Sequence, residues 1–143
     1  MTRTRVAKVI GGLLTLLVSG LVVMFTYANL VANPRVAEGL RADPNGEMAQ
    51  RVMLLTLPSG RELPVNYLQR DDLVFAGADG GWWRELDGEG WQEVEVYLRG
   101  EKLSGRARAE RENEELREDV FSELRPAVPL IFGVLIVITL DPS

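Results

Sequence analysis

The 143-residue chain carries 16 basic and 21 acidic side chains, and it has no cysteine and no histidine. Without cysteine, disulfides, thiolate metal sites and cysteine nucleophiles are excluded. Without histidine, the commonest general base and metal ligand is missing, which excludes Ser-His-Asp hydrolysis and histidine-ligated zinc or haem. The mild acidity argues against a nucleic-acid binder, which concentrates basic residues on one face. We therefore expect no metal site, and chemistry that comes from carboxylates, hydroxyls, Arg or Lys, or from a bound organic cofactor.

The N-terminal region predicts a membrane anchor. Residues 1–8 form a short basic tail, and the stretch that follows has no charge until Arg35. A helix needs about 20 mainly apolar residues to cross a bilayer, so we expect a transmembrane helix at 9–30. The alternative is a cleaved signal peptide, whose apolar region is usually shorter and ends at a small-residue cleavage site. The pattern favours an uncleaved single-pass anchor in the cell membrane. The basic tail mildly favours a cytoplasmic N-terminus and an external domain. Arg35, Arg41 and Arg51 follow the span as well, so the side of the soluble domain stays open.

After the anchor, residues 31–50 are expected to form a linker with a short helix, which begins at Asn33-Pro34 and ends at the turn residues 43–46. Residues 51–141 are expected to form one β-barrel domain. Its first part is a series of short β patterns separated by turns rich in Gly, Pro and Asp. We expect five strands there, at 51–57, 61–69, 73–78, 92–98 and 103–109.

Several positions in these strands predict local structure. Alternation places one set of side chains on the inner face of the sheet: Leu63, Val65, Tyr67, Val94, Val96 and Leu98. Pro64 cannot donate a ladder hydrogen bond, so we expect an open strand edge beside it. Gly77 indicates a bulge or the close approach of another group. A helical turn is expected at 82–86, where two tryptophans are adjacent.

The C-terminal part adds one helix and one strand. Residues 110–125 form a charged helical pattern with a narrow apolar stripe that comprises Leu116, Val120, Phe121 and Leu124. Residues 130–140 are uncharged and rich in β-branched side chains, which favours a central strand; a second membrane-dipping segment is the alternative. The sequence therefore predicts a mainly β fold, a six-stranded β-barrel with helices that follows one transmembrane helix.

Three segments together suggest a family: LLTLPSGRELPVNYL at 54–68, LVFAGADGGWWREL at 73–86 and VEVYLRGEKLSGRARAE at 94–110. They follow one order, a Thr-containing turn with Ser, Gly and a basic residue, a strand that ends in small residues, an aromatic pair, and a basic-Gly hairpin. Over about residues 50–141 the domain resembles the split β-barrel flavin-binding fold, specifically the deazaflavin (F420)-dependent nitroreductase and quinone reductase family.

The resemblance implies a homodimeric reductase that transfers a hydride from reduced coenzyme F420, a deazaflavin, or from FMN to a quinone-like or nitro-type acceptor. The implied cofactor-binding residues are Thr56, Ser59, Gly60, Arg61, Gly77, Ala78, Trp82, Trp83 and Arg84. The turn residues would hold the phosphate, the small residues would let the ring lie close to a strand, and a tryptophan would form its wall. No catalytic side chain is singled out, although Tyr67 or Ser59 could donate a proton.

Each assignment has a structural alternative. The Pro-Ser-Gly turn can be an ordinary hairpin turn, the tryptophans can be core anchors, and Arg84 can pair with Glu85 or Asp87. The chain also departs from the family pattern, because the turn offers one cation and residues 87–91 replace the usual Asn-Pro. The alternative function is a non-catalytic split-barrel membrane protein that acts through protein–protein contacts. A lipid carrier is a third hypothesis.

Overall fold

We describe the protein from a computed structural model, which covers residues 3–27 and 33–142. The chain divides into two compact units, Met1–Val36 and Ala37–Ser143, and each is described by itself.

The first unit consists mainly of helix α1, Arg3–Tyr27. Its segment Arg3–Met24 has 22 residues with a hydropathy of 2.2, long and apolar enough to cross a membrane. The hydroxyl of Thr15 donates to the carbonyl of Gly11 at 2.9 Å, which satisfies a polar group within the apolar helix. The predicted apolar helix is therefore confirmed. Its expected last residues, 28–30, lie outside the described residues. The helix qualifies as a possible membrane span by its length and apolar composition, and a signal sequence would qualify in the same way.

The second unit is a six-stranded antiparallel barrel with strand order β1-β2-β3-β6-β5-β4. The strands are β1 Val52–Thr56, β2 Glu62–Arg70, β3 Leu73–Ala78, β4 Gln92–Leu98, β5 Glu101–Glu110 and β6 Val134–Leu140. Helix α2 is Asn33–Ala42, helix α3 is Glu114–Leu124, and short 3₁₀ helices lie at Met48–Gln50 and Gly81–Leu86. The predicted barrel and all six of its strands are thus confirmed.

Two apolar layers stabilise this unit. The barrel interior is filled by alternate strand residues, and the predicted inner positions, Val96 at 1% exposure among them, are all buried there. A second cluster lies under α3, where Val120 and Phe121 pack on Phe75 of β3 and on Leu135 and Val137 of β6. Strands β3 and β6 are therefore covered on both faces, which explains why their sequences are apolar throughout instead of alternating.

Strand β2 changes its pairing along its length, and this opens the barrel on one side. Its first half, 62–66, pairs with β1, with Pro64 opposite Leu54, while its second half, Tyr67–Arg70, pairs with β3. In the ladders of the described residues, β3 has no partner in 62–66. The expected open edge beside Pro64 is confirmed, and a gap separates this edge from the end of β3.

The structure corrects two predicted boundaries. The last strand begins at Val134 and not at residue 130, because Gly133 has φ +89° and the preceding residues form an exposed loop. Helix α3 begins at Glu114 and not at residue 110, because β5 continues through Glu110. The side chain of Asn113 then caps α3 by accepting from the Leu116 amide at 3.0 Å.

Val96→Asp should unfold the second unit, because it buries an uncompensated carboxylate inside the barrel, at a cost on the order of 3–5 kcal/mol. Glu93→Ala changes an exposed position of the same strand and should shift stability by less than about 0.5 kcal/mol. Thermal melting followed by near-UV circular dichroism compares the two variants. A native melting curve for Val96→Asp would mean that this side chain does not face the interior.

Candidate functional site

The residues implied by the resemblance gather at one end of the barrel. Because neighbouring strands are antiparallel, the ends of β1, β3 and β5 meet the starts of β2, β4 and β6 at the same rim. We call this rim the open end. It carries the β1–β2 turn at 57–61, the 3₁₀ helix Gly81–Leu86, which we call the tryptophan helix, and the loop that precedes β6.

The β1–β2 turn is tight and rests on one glycine. The Leu57 amide donates to the Arg61 carbonyl at 2.9 Å, and the Gly60 amide donates to the Leu57 carbonyl at 2.8 Å. Gly60 has φ +87°, a left-handed conformation that favours glycine, and an added Cβ would meet nothing within 4 Å. Ser59, Gly60 and Arg61 are all exposed, so the turn presents its backbone to solvent.

One amide of this turn already holds an anionic oxygen. The Ser59 N–H donates to Oε1 of Glu85 at 3.1 Å, and this bond ties the turn to the tryptophan helix. A backbone N–H that holds a carboxylate oxygen has the chemistry to hold a phosphate oxygen. The predicted phosphate position therefore has a suitable donor, but the chain's own carboxylate is bonded to it. From the sequence alone, Glu85 was expected only as a partner for Arg84.

The tryptophan helix packs its aromatic side chains against the barrel. Trp82 and Trp83 are half-buried on the interior cluster, and Leu86 is fully buried. The guanidinium carbons of Arg84 and Arg111 lie 4.9 and 4.8 Å from the Trp83 ring centroid, within cation–π range. Asp87 pairs with Arg111 at 3.0 Å. Arg84 thus stacks on its neighbour Trp83, and one of its two expected acidic partners is bonded to a different arginine.

A pocket of about 330 Å³ lies beside the gap between β2 and β3. We call it the split pocket, and its walls include Pro64, Asn66, Gly77, Trp82, Arg125 and Val128. Two of the implied site residues, Gly77 and Trp82, line it. Ala78 faces the barrel interior at 1% exposure, while Thr56 lines a different pocket beside Trp91. The structure therefore gathers the implied residues at one rim and divides them between separate surfaces.

The back of the split pocket is built by Arg125, which the sequence analysis did not single out. Its guanidinium lies against Gly77 and Gly133, so that a Cβ at either glycine would come within 2.5 Å of Nη1. Its Nη2 donates to Asp79, while Nη1 is buried without a hydrogen-bond partner among the described residues. The close approach expected at Gly77 is confirmed, and the approaching group is a protein side chain.

Helical spacing could have indicated from the sequence that Arg125 and a second arginine, Arg117, lie on the buried side of the α3 region. Arg117, Phe121 and Arg125 are four residues apart and share a face of the α3 region. Both guanidinium carbons lie near the Phe121 ring, at 5.2 and 4.8 Å from its centroid. Charged side chains outside an apolar stripe usually face solvent, whereas Arg117 is 9% exposed and buried with the stripe.

Tyr67, one of two proposed proton donors, is bonded within the structure. Its hydroxyl is buried and donates to the Ala49 carbonyl at 2.8 Å. Burial raises the pKa of Tyr67 above 10.0, and the nearby Arg99 partly opposes this shift. Ser59, the other proposed donor, is exposed in the β1–β2 turn.

No family model matches this chain, and no curated protein matches it. Among solved structures, the chain is similar to a protein from Listeria innocua described as a "putative pyridoxamine 5'-phosphate oxidase". The TM-score is 0.51 and the identity is 14%, over 64% of this chain and 85% of that chain. A likeness at this identity concerns the fold alone, and it supports the split β-barrel architecture.

The raised pKa of Tyr67 predicts a loss of stability at high pH. Above pH 10 the unfolded chain releases the phenolic proton while the folded chain retains it, so the free energy of unfolding falls as pH rises from there. Tyr67→Phe should lower stability near pH 7 by about 1 kcal/mol, since the Ala49 carbonyl loses its donor. Urea unfolding from pH 8 to pH 11 should show a shallower decline for the variant. Parallel curves would contradict the assignment.

Gly77→Ala tests the contact with Arg125. The added methyl collides with the guanidinium, and we expect a loss of about 1–3 kcal/mol, as in other overpacked sites. In the Arg125→Ala background the same substitution should have little effect, because the colliding group is absent. Gly39→Ala is the matched control: nothing lies within 4 Å of its added methyl, and it should be neutral or stabilise helix α2 by about 0.5–1 kcal/mol. Additive losses in the double variant would rule out the contact.

Proposed function

We propose that this protein is a membrane-anchored oxidoreductase of the flavin type, with its cofactor bound at the open end of the barrel. The observation that supports this best is the bond from the Ser59 amide to the Glu85 carboxylate. It gives the β1–β2 turn a donor for an anionic oxygen beside a tryptophan-lined surface. The split-barrel fold and the family resemblance point to the same class of cofactor.

The turn fits the phosphate that coenzyme F420 and FMN share. The Ser59 amide is the donor, the open space around Gly60 admits a bulky anion, and Arg61 supplies a cation next to it. A phosphate that takes this position displaces Glu85, because both bind the same N–H. Cofactor binding is therefore proposed as an exchange of one anion for another.

The split pocket fits part of a flat ring. Trp82 offers an aromatic wall, and the Arg125 guanidinium, which packs against Gly77, forms part of another. When bound, such a cofactor supplies the hydride that reduces a quinone-like or nitro-type acceptor, and a deazaflavin is the form that the family resemblance favours. The residues of this chain bind and orient it. No side chain is proposed as the proton donor, because the hydroxyl of Tyr67 is bonded to Ala49 and Ser59 lies in the turn that is proposed to hold the phosphate.

The same bond also supports a second function. With Glu85 in place, the Ser59 amide already has a partner, and the turn is stable without a ligand. A barrel of this kind could act as a non-catalytic membrane protein that binds other proteins. The two functions differ in whether an added phosphate group displaces Glu85.

A cofactor titration distinguishes the two functions. The full-length chain in detergent is titrated with oxidised and reduced F420 and with oxidised and reduced FMN. Trp82 and Trp83 lie at the proposed site, so a bound ring should quench their fluorescence saturably. Quenching by one cofactor identifies it. No quenching by any of the four ligands, with an unchanged melting temperature, would support the non-catalytic function.

Glu85→Ala should tighten cofactor binding, because it frees the Ser59 amide and removes a negative charge beside it. A charge-assisted hydrogen bond contributes about 1.5–3 kcal/mol, so we expect an affinity gain of about tenfold. Arg61→Ala should weaken binding by a similar factor. Glu89→Ala removes the same charge from an exposed residue of the next loop, and it controls for the overall change in electrostatics. Equal affinities for the Glu85 and Glu89 variants would exclude the turn as the phosphate site.

A further inference from the structure

The loop before β6 is an exposed apolar protrusion. Residues 126–133, PAVPLIFG, contain no charge, and they follow α3 at the open end. Leu130, Ile131 and Phe132 are 40%, 82% and 55% exposed. In the described part of the second unit, these are the only consecutive large apolar residues with such exposure. We call residues 126–133 the apolar loop.

This loop is held in place from inside. The buried guanidinium of Arg117 donates to the carbonyls of Leu130, Phe132 and Gly133, with Nε 3.2 Å from the Gly133 oxygen. Its Nη1 pairs with Glu114 at 2.5 Å, which balances the charge. Three carbonyls of the loop are thus satisfied by one buried side chain. What the loop presents to its surroundings is mainly apolar side chain.

Such a protrusion requires a partner or an apolar phase, because each exposed apolar side chain is hydrated at a free-energy cost. The same residues could have extended β6, whose sequence is equally apolar, but Gly133 with φ +89° turns the chain out of the sheet. The exposure is therefore built into the backbone.

A lipid bilayer is the occupant that the chain itself suggests. Helix α1 is long and apolar enough to cross a membrane. Because both units belong to one chain, a membrane that holds α1 also tethers the barrel unit and raises its effective concentration at the lipid. The loop's uncharged sequence can enter a lipid interface without desolvating an ion. A protruding tip enters lipid directly, whereas docking on a second copy requires a complementary groove.

We propose that the apolar loop inserts into the interfacial layer of the bilayer and forms a second membrane contact in addition to α1. Val128 of this loop also lines the split pocket, so insertion would bring the mouth of that pocket to the lipid surface. If the proposed function holds, the acceptor is then an apolar ring compound that arrives from the membrane. The contact itself does not depend on that function.

The absence of cysteine makes a direct test simple. Ile131→Cys in the full-length chain carries an environment-sensitive fluorophore, and the protein is reconstituted into phosphatidylcholine vesicles. Asp72→Cys is the matched control, because Asp72 is exposed in the β2–β3 turn at the other end of the barrel. Melting of both labelled variants is first compared with that of the unlabelled chain.

We expect the label at 131 to emit at shorter wavelength in vesicles than the label at 72, and to be quenched by spin-labelled lipid. Its quenching by aqueous iodide should be several-fold weaker than that of the label at 72. Position 72 should show iodide quenching and no lipid quenching.

Equal iodide quenching at both positions would overturn the proposal. So would protection at 131 without lipid quenching but with energy transfer between labelled copies, which would identify a second copy as the occupant. Release of the chain from vesicles by alkaline carbonate would remove the tether and the argument that rests on it. No cofactor is present in these measurements, so a failed cofactor titration leaves their outcome unaffected.

Discussion

The change of partner within β2 is the constraint on which the open end depends. If β2 stayed paired with β3 over its whole length, its first half would close the gap where the split pocket lies. Pro64 lies in that half and has no amide hydrogen to offer a neighbouring strand. The proline thus disfavours continuation of the β2–β3 ladder, and the space beside it is closed by the α3 region through Leu124 and Arg125.

Helix α3 does more than cover β3 and β6. Its apolar stripe packs on their outer faces, and two arginines on the same side reach to either flank of Phe121. Arg117 binds the apolar loop and Arg125 binds Asp79 beside the split pocket. Both guanidiniums are largely buried, so their removal would leave carbonyls or a carboxylate without partners, which is destabilising. The helix therefore fixes the loops of the open end as well as the core.

The fold could be predicted from the sequence because its strands carry strong local signals. Alternation identified the inner face of β4, and Pro64 and Gly77 indicated a gap and a close contact.

The site was less predictable because its key contacts join distant segments. Nothing in the sequence around Glu85 indicates that its carboxylate accepts from the Ser59 amide, because the turn at 57–61 comes beside it only in the folded chain. The run at 130–140 was assigned to one strand because periodicity cannot distinguish an exposed apolar loop from a buried strand end. The spacing of Arg117 and Arg125 weakly indicated that they share a face with Phe121. Their charge indicated exposure to solvent more strongly.

Charge at the open end is balanced largely by internal pairs, and this bears on any ligand. Arg111 pairs with Asp87, Arg108 with Glu110, and Arg125 with Asp79. The aromatic rings of Trp83 and Trp91 hold guanidiniums as well. An anionic ligand that binds one of these paired arginines must exchange with an existing partner, so the net gain is the difference between two similar interactions. Contact with the walls of the split pocket, such as Trp82 and Val128, then has to supply part of the binding energy. This favours a ligand with a flat apolar ring over one that is recognised by its charge alone.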